Sequence, residues 1–126
     1  MEITRLQLYS YRNYKLADIK FTDGINVIVG KNAQGKTNLL EAVYFTVVGK
    51  SFRASREKEV INHDSDIAKI KVDIRKEIGT STVEIIFSRK QKKTVKINGV
   101  PIQRISELLG EFNGVFFSPD ELKLIK

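Results

Sequence analysis

The chain contains no cysteine. A disulfide framework, a thiolate metal site and a cysteine nucleophile are therefore excluded. It also has no uninterrupted apolar stretch of about 18 residues or more, which is the length that a membrane-spanning helix needs. The N-terminus lacks the basic segment followed by an apolar one that a secretory signal requires. We expect a soluble, cytoplasmic protein with no membrane partner.

Acidic residues are fewer than basic ones, with 15 Asp and Glu against 22 Lys and Arg and a net charge of +7. The basic residues recur along most of the sequence, without an internal repeat or a low-complexity segment. This surplus favours partners that carry phosphate, including nucleotide and nucleic acid, although many proteins with lysine-rich surfaces bind neither. At 126 residues the chain is one domain by length, and it is small for a nucleotide-hydrolysing machine.

One octapeptide fits the pattern Gly-x-x-x-x-Gly-Lys-Ser/Thr at every required position. We call it the cradle: Gly30-Lys31-Asn32-Ala33-Gln34-Gly35-Lys36-Thr37. A loop that wraps a triphosphate turns its backbone N–H groups inward, which requires glycine wherever a side chain would collide with phosphate. Lys36 is predicted to contact the β- and γ-phosphates, and Thr37 to offer its hydroxyl to the Mg²⁺ that bridges them.

The cradle lies between two predicted elements of the right kind. Residues 25–29 form a short, β-branched, mostly apolar run, which indicates a buried strand of a parallel or mixed sheet. Residues 37–48 contain no glycine or proline and few polar side chains, which predicts a largely buried helix that ends at Gly49. Strand, loop and helix follow in the order that directs a helix N-terminus at bound phosphate. The alternative is a glycine-rich turn that only joins two core elements.

Alternating apolar and polar residues predict several further strands, over residues 3–9, 16–21, 67–76, 82–88 and 94–97. Residues 79–81 are predicted to form a hairpin loop, and Asn98-Gly99 is the strongest short hairpin signal in the chain. The fold class is therefore α/β, a P-loop domain with a mixed central sheet and an antiparallel β-subdomain that has one solvent-facing surface.

The carboxylates that nucleotide hydrolysis would need are not evident. Asp120 and Glu121 follow the apolar run 115–117, but Ser118 and Pro119 place them in the first turn of a helix, where capping accounts for them. The catalytic residues therefore stay unassigned. His63 lies near Asp64 and Asp66, which leaves open a small metal cluster or an ordinary solvated loop; the sequence does not decide its role.

Two further patterns leave functional and structural interpretations open. The basic run 89–93 between two strands could follow a phosphate backbone or simply cover a hairpin loop. Tyr9, Tyr11 and Tyr14 could stack on bases or pack against a sheet edge.

Four segments together resemble the N-terminal part of the RecF family of bacterial recombination mediators, within the SMC-like, ABC-type ATPases. The resemblance spans essentially the whole chain, and the order of the segments makes it specific. They are Leu8-x-x-Tyr11-Arg12-Asn13-Tyr14, the cradle continued through Asn38-Leu39-Leu40-Glu41-Ala42, Gly49-Lys50-Ser51-Phe52-Arg53, and Phe117-Ser118-Pro119-Asp120-Glu121-Leu122.

The resemblance implies the N-terminal lobe of an ABC- or SMC-like ATPase head that binds ATP and Mg²⁺ in a DNA replication and repair protein. It implies that ATP lies between two protomers, so that the full-length protein forms an ATP-dependent homodimer. The implied partners are single- and double-stranded DNA and mediator proteins of the same pathway. The implied processes are recombinase loading at gaps and the SOS response. Nucleotide contacts are implied for the cradle and Asn38, and for Arg12 and Asn13 after the first strand; a surface role for Arg12 is the alternative.

The departures from the family pattern are equally informative. Residues 1–126 contain no signature motif, no Walker B carboxylates and no helical lobe, so we interpret the chain as a fragment that would hydrolyse ATP only within a full-length dimer. No glutamine occurs near residues 115–120, where such heads often have one. A nucleotide kinase or GTPase is a weaker interpretation, because an Asn-Lys-x-Asp motif is absent. A nucleic-acid-binding module with an incidental cradle is the alternative from another class.

Overall fold

The computed structural model describes residues 2–20, 33–49, 56–104 and 106–108. Several predictions lie outside these residues, namely the strand 25–29, the first three cradle residues, the run 115–117 and the capping box 118–121. For cradle residues 33–37 the structure describes the backbone but not the side chains.

A six-stranded antiparallel sheet forms most of the described structure, in the order β2-β1-β3-β4-β5-β6. Its strands are β1 (Glu2–Tyr11), β2 (Tyr14–Lys20), β3 (Ile67–Arg75), β4 (Thr80–Ser88), β5 (Thr94–Ile97) and β6 (Val100–Pro101). The alternation of the sequence thus predicted each main strand. The parallel component of the predicted mixed sheet falls on residues 25–29, outside the described part.

Strand β4 begins earlier than predicted, at Thr80. The hairpin loop between β3 and β4 was expected at residues 79–81, but it ends at Gly79, whose carbonyl accepts a 3.0 Å hydrogen bond from the Lys76 N–H. Thr80 and Ser81 already pair with β3, opposite Arg75 and Ile74. The β-branched Thr80 suits a strand, so the ladder extends closer to the turn than the glycine signal indicated.

The turn between β5 and β6 confirms the Asn98-Gly99 prediction. Both residues have positive φ, 52° for Asn98 and 82° for Gly99. Two successive positive φ angles are the pattern of a type I′ turn, which matches the twist of the flanking strands.

One helix, α1 (Ala33–Val48), packs on one face of the sheet. It ends as predicted, because Gly49 has a φ of 86° and donates a 2.7 Å hydrogen bond to the Phe45 carbonyl. It begins before the predicted first residue, Thr37. Ala33 and Gln34 favour helix, and the cost of Gly35 is about 1 kcal/mol, so the helical backbone reaches into the cradle.

The core lies between α1 and this face of the sheet. At its centre Phe45 of α1 meets Phe87 of β4 in an edge-to-face contact, with ring centroids 4.9 Å apart. The surrounding core residues are all buried and apolar: Leu6, Leu8, Ile70, Val72, Ile74, Val83 and Ile85. Alternate residues of β3 and β4 supply most of this surface.

The opposite face of the sheet is polar, as the alternation predicted. Arg5 and Asp18 form an ion pair of 2.5 Å, and Lys69 and Glu84 form one of 2.9 Å. The Lys69 ammonium also lies 5.4 Å from the centre of the Tyr9 ring. Within the part of the chain that the structure describes, no helix is both long and apolar enough to cross a bilayer.

Candidate functional site

The candidate site is built around the tip of the β1–β2 hairpin. Arg12 and Asn13 form its two-residue loop, between the paired residues Tyr11 and Tyr14. Ser10 and Arg12 have φ angles of 51° and 49°, in the left-handed region that non-glycine residues rarely adopt. Each such residue costs on the order of 1 kcal/mol, so tertiary contacts must hold the tip in this shape.

The left-handed residue Ser10 changes the direction in which Tyr11 points. Leu6 and Leu8 lie on the buried face of β1, and regular alternation would place Tyr11 on the opposite face. Tyr11 is nevertheless fully buried, like Leu6 and Leu8. The turn at Ser10 thus accounts for a tyrosine hydroxyl that reaches helix α1.

Glu41 of α1 is the centre of the polar contacts. Its side chain is 0% exposed, and a carboxylate is almost never fully buried without partners. The Tyr11 hydroxyl donates to Oε1 at 2.5 Å, and the Arg12 guanidinium donates to Oε1 and Oε2 at 2.7 and 2.8 Å. This two-pronged pairing fixes the plane of the guanidinium relative to the helix.

The same pairing acts on the ionisation of Arg12. Its hydrogen bonds to Glu41 raise the pKa of Arg12 above its ordinary value, and this effect is larger than the lowering by partial burial. Arg12 is therefore charged at every physiological pH. Only 21% of the Arg12 side chain is exposed, because Glu41 holds its guanidinium against α1. Contact of Arg12 with nucleotide stays a prediction.

Asn38 connects the hairpin tip to the cradle end of the helix. Its side-chain amide donates a 2.6 Å hydrogen bond to Oδ1 of Asn13, and Asn38 itself is buried. Asn38 directly follows Thr37, the last cradle residue, and it lies one helical turn before Glu41. The hairpin tip is thus held against the first turns of α1, beside the end of the cradle.

A cavity of about 230 Å³ opens at this junction. It brings together three residues predicted to contact nucleotide with four from the segment before β3. The lining residues are Arg12, Asn13, Asn38, Glu59, Ile61, Asn62 and His63. His63 therefore lies at the candidate site, but among the described residues no group of three His, Cys, Asp or Glu side chains could hold a metal ion.

The predicted site residues divide into those that the structure describes and those that it does not. Arg12, Asn13 and Asn38 come together around one cavity. Gly30, Lys31 and Asn32 lie outside the described residues, and of residues 33–37, which include Gly35, only the backbone is described. The side chains of Ala33, Gln34, Lys36 and Thr37 therefore lie outside the described part. Their roles as ligands of phosphate and Mg²⁺ stay predictions.

Sequence reasoning missed the role of Glu41. Glu41 is one of the few polar residues of the predicted buried helix, and the sequence assigns it no role. The signal was present, since a carboxylate inside an otherwise apolar helix requires a cationic or hydrogen-bonding partner. What the sequence does not show is that this partner is Arg12, 29 residues away.

The basic run 89–93 divides into structural and exposed cations. Lys93 donates to the Gly49 carbonyl at 2.9 Å and to the Glu57 carboxylate at 2.5 Å, so it caps the C-terminal end of α1. Arg89 donates to backbone carbonyls of the segment before β3. Lys90 and Lys92 are exposed, and in the described part of the chain their ammonium groups have no ion-pair partner.

Tyr11 and Tyr14 pack against the core, whereas Tyr9 lies on the polar face of the sheet beside Lys69. Tyr11 is fully buried and cannot stack on a nucleic-acid base. Tyr9 and Tyr14 are half-buried, and burial raises the pKa of Tyr14 above 10.0.

Comparisons with known proteins place this geometry in a family. The family model of the RecF/RecN/SMC N-terminal domain matches residues 2–122. The DNA replication and repair protein RecF of Clostridium kluyveri is 47% identical over 100% of this chain and 35% of that protein. RecF of Bacillus subtilis is 44% identical over 100% of this chain and 34% of that protein. The chain thus spans about a third of the length of these curated relatives.

Solved structures show the same fold. The recombination mediator protein RecF–ATP of the RecFOR pathway superposes with a TM-score of 0.82 at 32% identity, covering 99% of this chain and 35% of that one. A structure from work on ATP-driven dimerisation and DNA-stimulated activation of SMC ATPases has a TM-score of 0.79 at 25% identity, covering 96% and 83% of the two chains. The predicted fold, the N-terminal lobe of an ABC- or SMC-like ATPase head, is confirmed.

Proposed function

Because the chain belongs to the family of RecF/RecN/SMC N-terminal domains, we propose that it is the ATP-binding part of a DNA replication and repair protein. The observation that carries this proposal is the junction of the hairpin tip with α1. Arg12, Asn13 and Asn38 line one cavity directly beside the end of the cradle. A fixed cation and two amide side chains next to a phosphate-binding loop suit the polar parts of a nucleotide.

Mg²⁺ is proposed to accompany the nucleotide. Thr37 would supply one hydroxyl ligand, and the phosphates and water would supply the other oxygens, which are the ligands that Mg²⁺ prefers. The ion would neutralise charge on the phosphates.

A titration with a fluorescent ATP analogue tests nucleotide binding. Lys36→Ala removes one charge-assisted phosphate contact, worth about 1.5–3 kcal/mol, and should weaken binding roughly 10- to 150-fold. Lys20→Ala is the matched control, since it removes an exposed lysine at the end of β2. Equal affinity of the wild type and Lys36→Ala would remove Lys36 from the site and overturn the proposal.

The activities of the complete protein are proposed from its relatives. We propose an ATP-dependent homodimer that sandwiches the nucleotide, acts in the cytoplasm with the mediator proteins of its pathway, and assists recombinase loading at DNA gaps. Hydrolysis would require the dimer. This chain alone should therefore bind ATP weakly and release phosphate negligibly, and rapid turnover by the chain alone would contradict the dimer requirement.

Binding of single- and double-stranded DNA is proposed for a second surface, which we call the basic groove. It is a cavity of about 400 Å³ beside the β4–β5 loop, whose lining includes Arg56, Lys58, Gln91 and Lys93. The exposed Lys90 and Lys92 flank Gln91. Glu57 is the one acid of the lining, and it is neutralised by Lys93. The remaining positive charge suits a phosphate backbone.

The chemistry of the basic groove favours binding that ignores base sequence. Phe87 is only 1% exposed, so it forms the floor of the cavity and offers no ring for base stacking. The exposed groups are flexible cations, which contact phosphates through charge.

The salt dependence of DNA binding tests the basic groove. Lys90→Ala/Lys92→Ala should weaken binding and reduce the slope of log K against log salt by about 0.9 for each lost phosphate contact on duplex DNA. The matched control, Lys15→Ala/Lys20→Ala, removes two exposed lysines from β2 and should leave the slope unchanged. Equal slopes for both double variants would show that DNA binds to a different surface of the protein. If DNA affinity instead falls steeply with salt and does not change when ATP is added, a nucleic-acid-binding module with an incidental cradle is favoured.

A further inference from the structure

Arg89 makes an unusual set of contacts for a residue in a basic loop. Its Nε donates to the Ser65 carbonyl at 2.9 Å, and one terminal nitrogen donates to the Asn62 carbonyl at 3.1 Å and approaches the Ile61 carbonyl at 3.4 Å. Its backbone N–H donates to the Asp66 carbonyl at 3.1 Å. The guanidinium thus fixes several carbonyls of the segment 60–66, which we call the strap.

The strap in turn holds the hairpin tip. The Arg12 N–H donates to the Val60 carbonyl at 2.6 Å, and the Asn62 N–H donates to the Ser10 carbonyl at 2.8 Å. The Asn62 side chain donates to the Arg12 carbonyl at 2.6 Å. These bonds contact the backbone of Ser10 and Arg12, the residues with left-handed φ.

The side chain of Asn62 is itself oriented at both ends. Its Oδ1 accepts the Asp64 N–H at 3.0 Å while its Nδ2 binds the Arg12 carbonyl. An asparagine that accepts from the residue two positions later closes a local turn, which keeps the strap compact. Arg89 binds the Asn62 carbonyl, while the N–H and the side-chain amide of Asn62 bind the hairpin tip.

From this chain of contacts we propose that Arg89 is a positioning residue for the nucleotide site. It fixes the strap, the strap holds Ser10 and Arg12 in their left-handed conformation, and that conformation directs the Arg12 guanidinium and Asn13 toward the cavity. Arg89 does not touch the nucleotide in this proposal. The inference rests on the proposed nucleotide function of the hairpin tip, and it assigns Arg89 a role separate from that of its neighbours Lys90 and Lys92.

A double-mutant cycle on ATP-analogue affinity tests the proposal. Arg12→Ala should weaken binding about tenfold, and Arg89→Ala should weaken it several-fold. The double variant should lose clearly less affinity than the sum of the two single losses, because Arg89 acts through the hairpin tip that carries Arg12. Arg104→Ala is the matched control: it removes an exposed arginine, and it should not change affinity. Fully additive losses in the double variant would overturn the proposal.

Arg89→Lys keeps the charge but loses the planar fork that reaches several carbonyls. We expect an affinity between those of the wild type and Arg89→Ala, and wild-type affinity in Arg89→Lys would count against positioning through the fork.

If the Arg89 variants do not fold, amide exchange in the wild type provides the test. ATP should slow exchange at the Arg12 and Asn62 N–H groups, which are bonded to the strap and the hairpin tip. Unchanged exchange in protein saturated with ATP would overturn the proposal.

The two hypotheses fail in different ways. If Lys36→Ala weakens binding and Arg12→Ala does not, ATP binding stands and the role of Arg89 falls. If neither variant changes affinity, the nucleotide function itself fails.

Discussion

The two halves of helix α1 are held by different kinds of contact. The first half, at Asn38 and Glu41, is bound to the hairpin tip by directional hydrogen bonds and an ion pair. The second half, at Phe45, packs on Phe87 and the apolar face of the sheet. Apolar packing depends on the volume of the side chains, whereas each hydrogen bond requires a donor and an acceptor at a defined distance and angle. The side chains in the half of α1 next to the cradle are therefore the ones whose positions are fixed by hydrogen-bond geometry.

Removing the apolar support should have the largest effect on stability. Phe87→Ala deletes a buried ring and its edge-to-face contact with Phe45, so the free energy of unfolding should fall by about 3–5 kcal/mol. Urea denaturation measures this loss. Ile78→Ala is the control, because Ile78 is 93% exposed and should change stability by less than about 0.5 kcal/mol. Similar small losses for both variants would show that the second half does not depend on packing.

Removing the polar contacts should lower the free energy of unfolding by less. The effect of removing one residue of the ion pair should depend on whether the other is present. Glu41→Ala leaves Arg12 and Tyr11 without their buried acceptor, which should lower the free energy of unfolding by about 2–3 kcal/mol. Arg12→Ala/Glu41→Ala should lose clearly less than the sum of the single variants. Denaturation of all three proteins measures the coupling, and additive losses would show that the ion pair contributes nothing.

The left-handed residue Ser10 should respond in the opposite direction. Ser10→Gly relieves the steric cost of a φ of 51°, and after the extra entropy of glycine it should stabilise the protein by about 0.5 kcal/mol. Ala17→Gly, in the regular part of β2, should instead destabilise by about 0.5–1 kcal/mol. Both changes can be measured by urea denaturation. Destabilisation by Ser10→Gly would mean that the hairpin tip is not strained.

The smallest expected effect is a pH dependence of stability, which arises from an ion pair on the polar face of the sheet. The hydrogen bond from Lys69 holds the pKa of Glu84 below its ordinary value of 4.5. A lowered pKa in the folded state stabilises the protein above pH 4.5, and this contribution is lost as the pH falls through the folded-state value. The pair is solvent-exposed enough that we expect only a few tenths of a kcal/mol. Glu84→Gln should remove this component from a pH series of denaturation midpoints, and an unchanged pH profile would contradict it.

Much of the fold follows from local patterns. The alternation of β3, β4 and β5, the Asn98-Gly99 turn and the end of α1 at Gly49 all depend on residues that are neighbours in sequence. The cradle is likewise a local motif. These features are predictable because each is determined within about ten residues.

The candidate site is less predictable, because its contacts join distant segments. Nothing local distinguishes Arg89 and Lys93, which bind carbonyls, from Lys90 and Lys92, which are exposed. Ser10 is not a residue type that usually marks a left-handed turn. Its conformation is stabilised by hydrogen bonds to the strap, which lies about fifty residues later in the chain.

The short strand β6 has a consequence for behaviour at high concentration. It consists of Val100 and Pro101 alone, paired with Ile97 and Lys96 of β5. Proline has no amide hydrogen, and two residues make a poor template for a strand from another molecule. This margin of the β5–β6 hairpin should therefore resist edge-to-edge aggregation, and Pro101→Val should make concentrated solutions more prone to it.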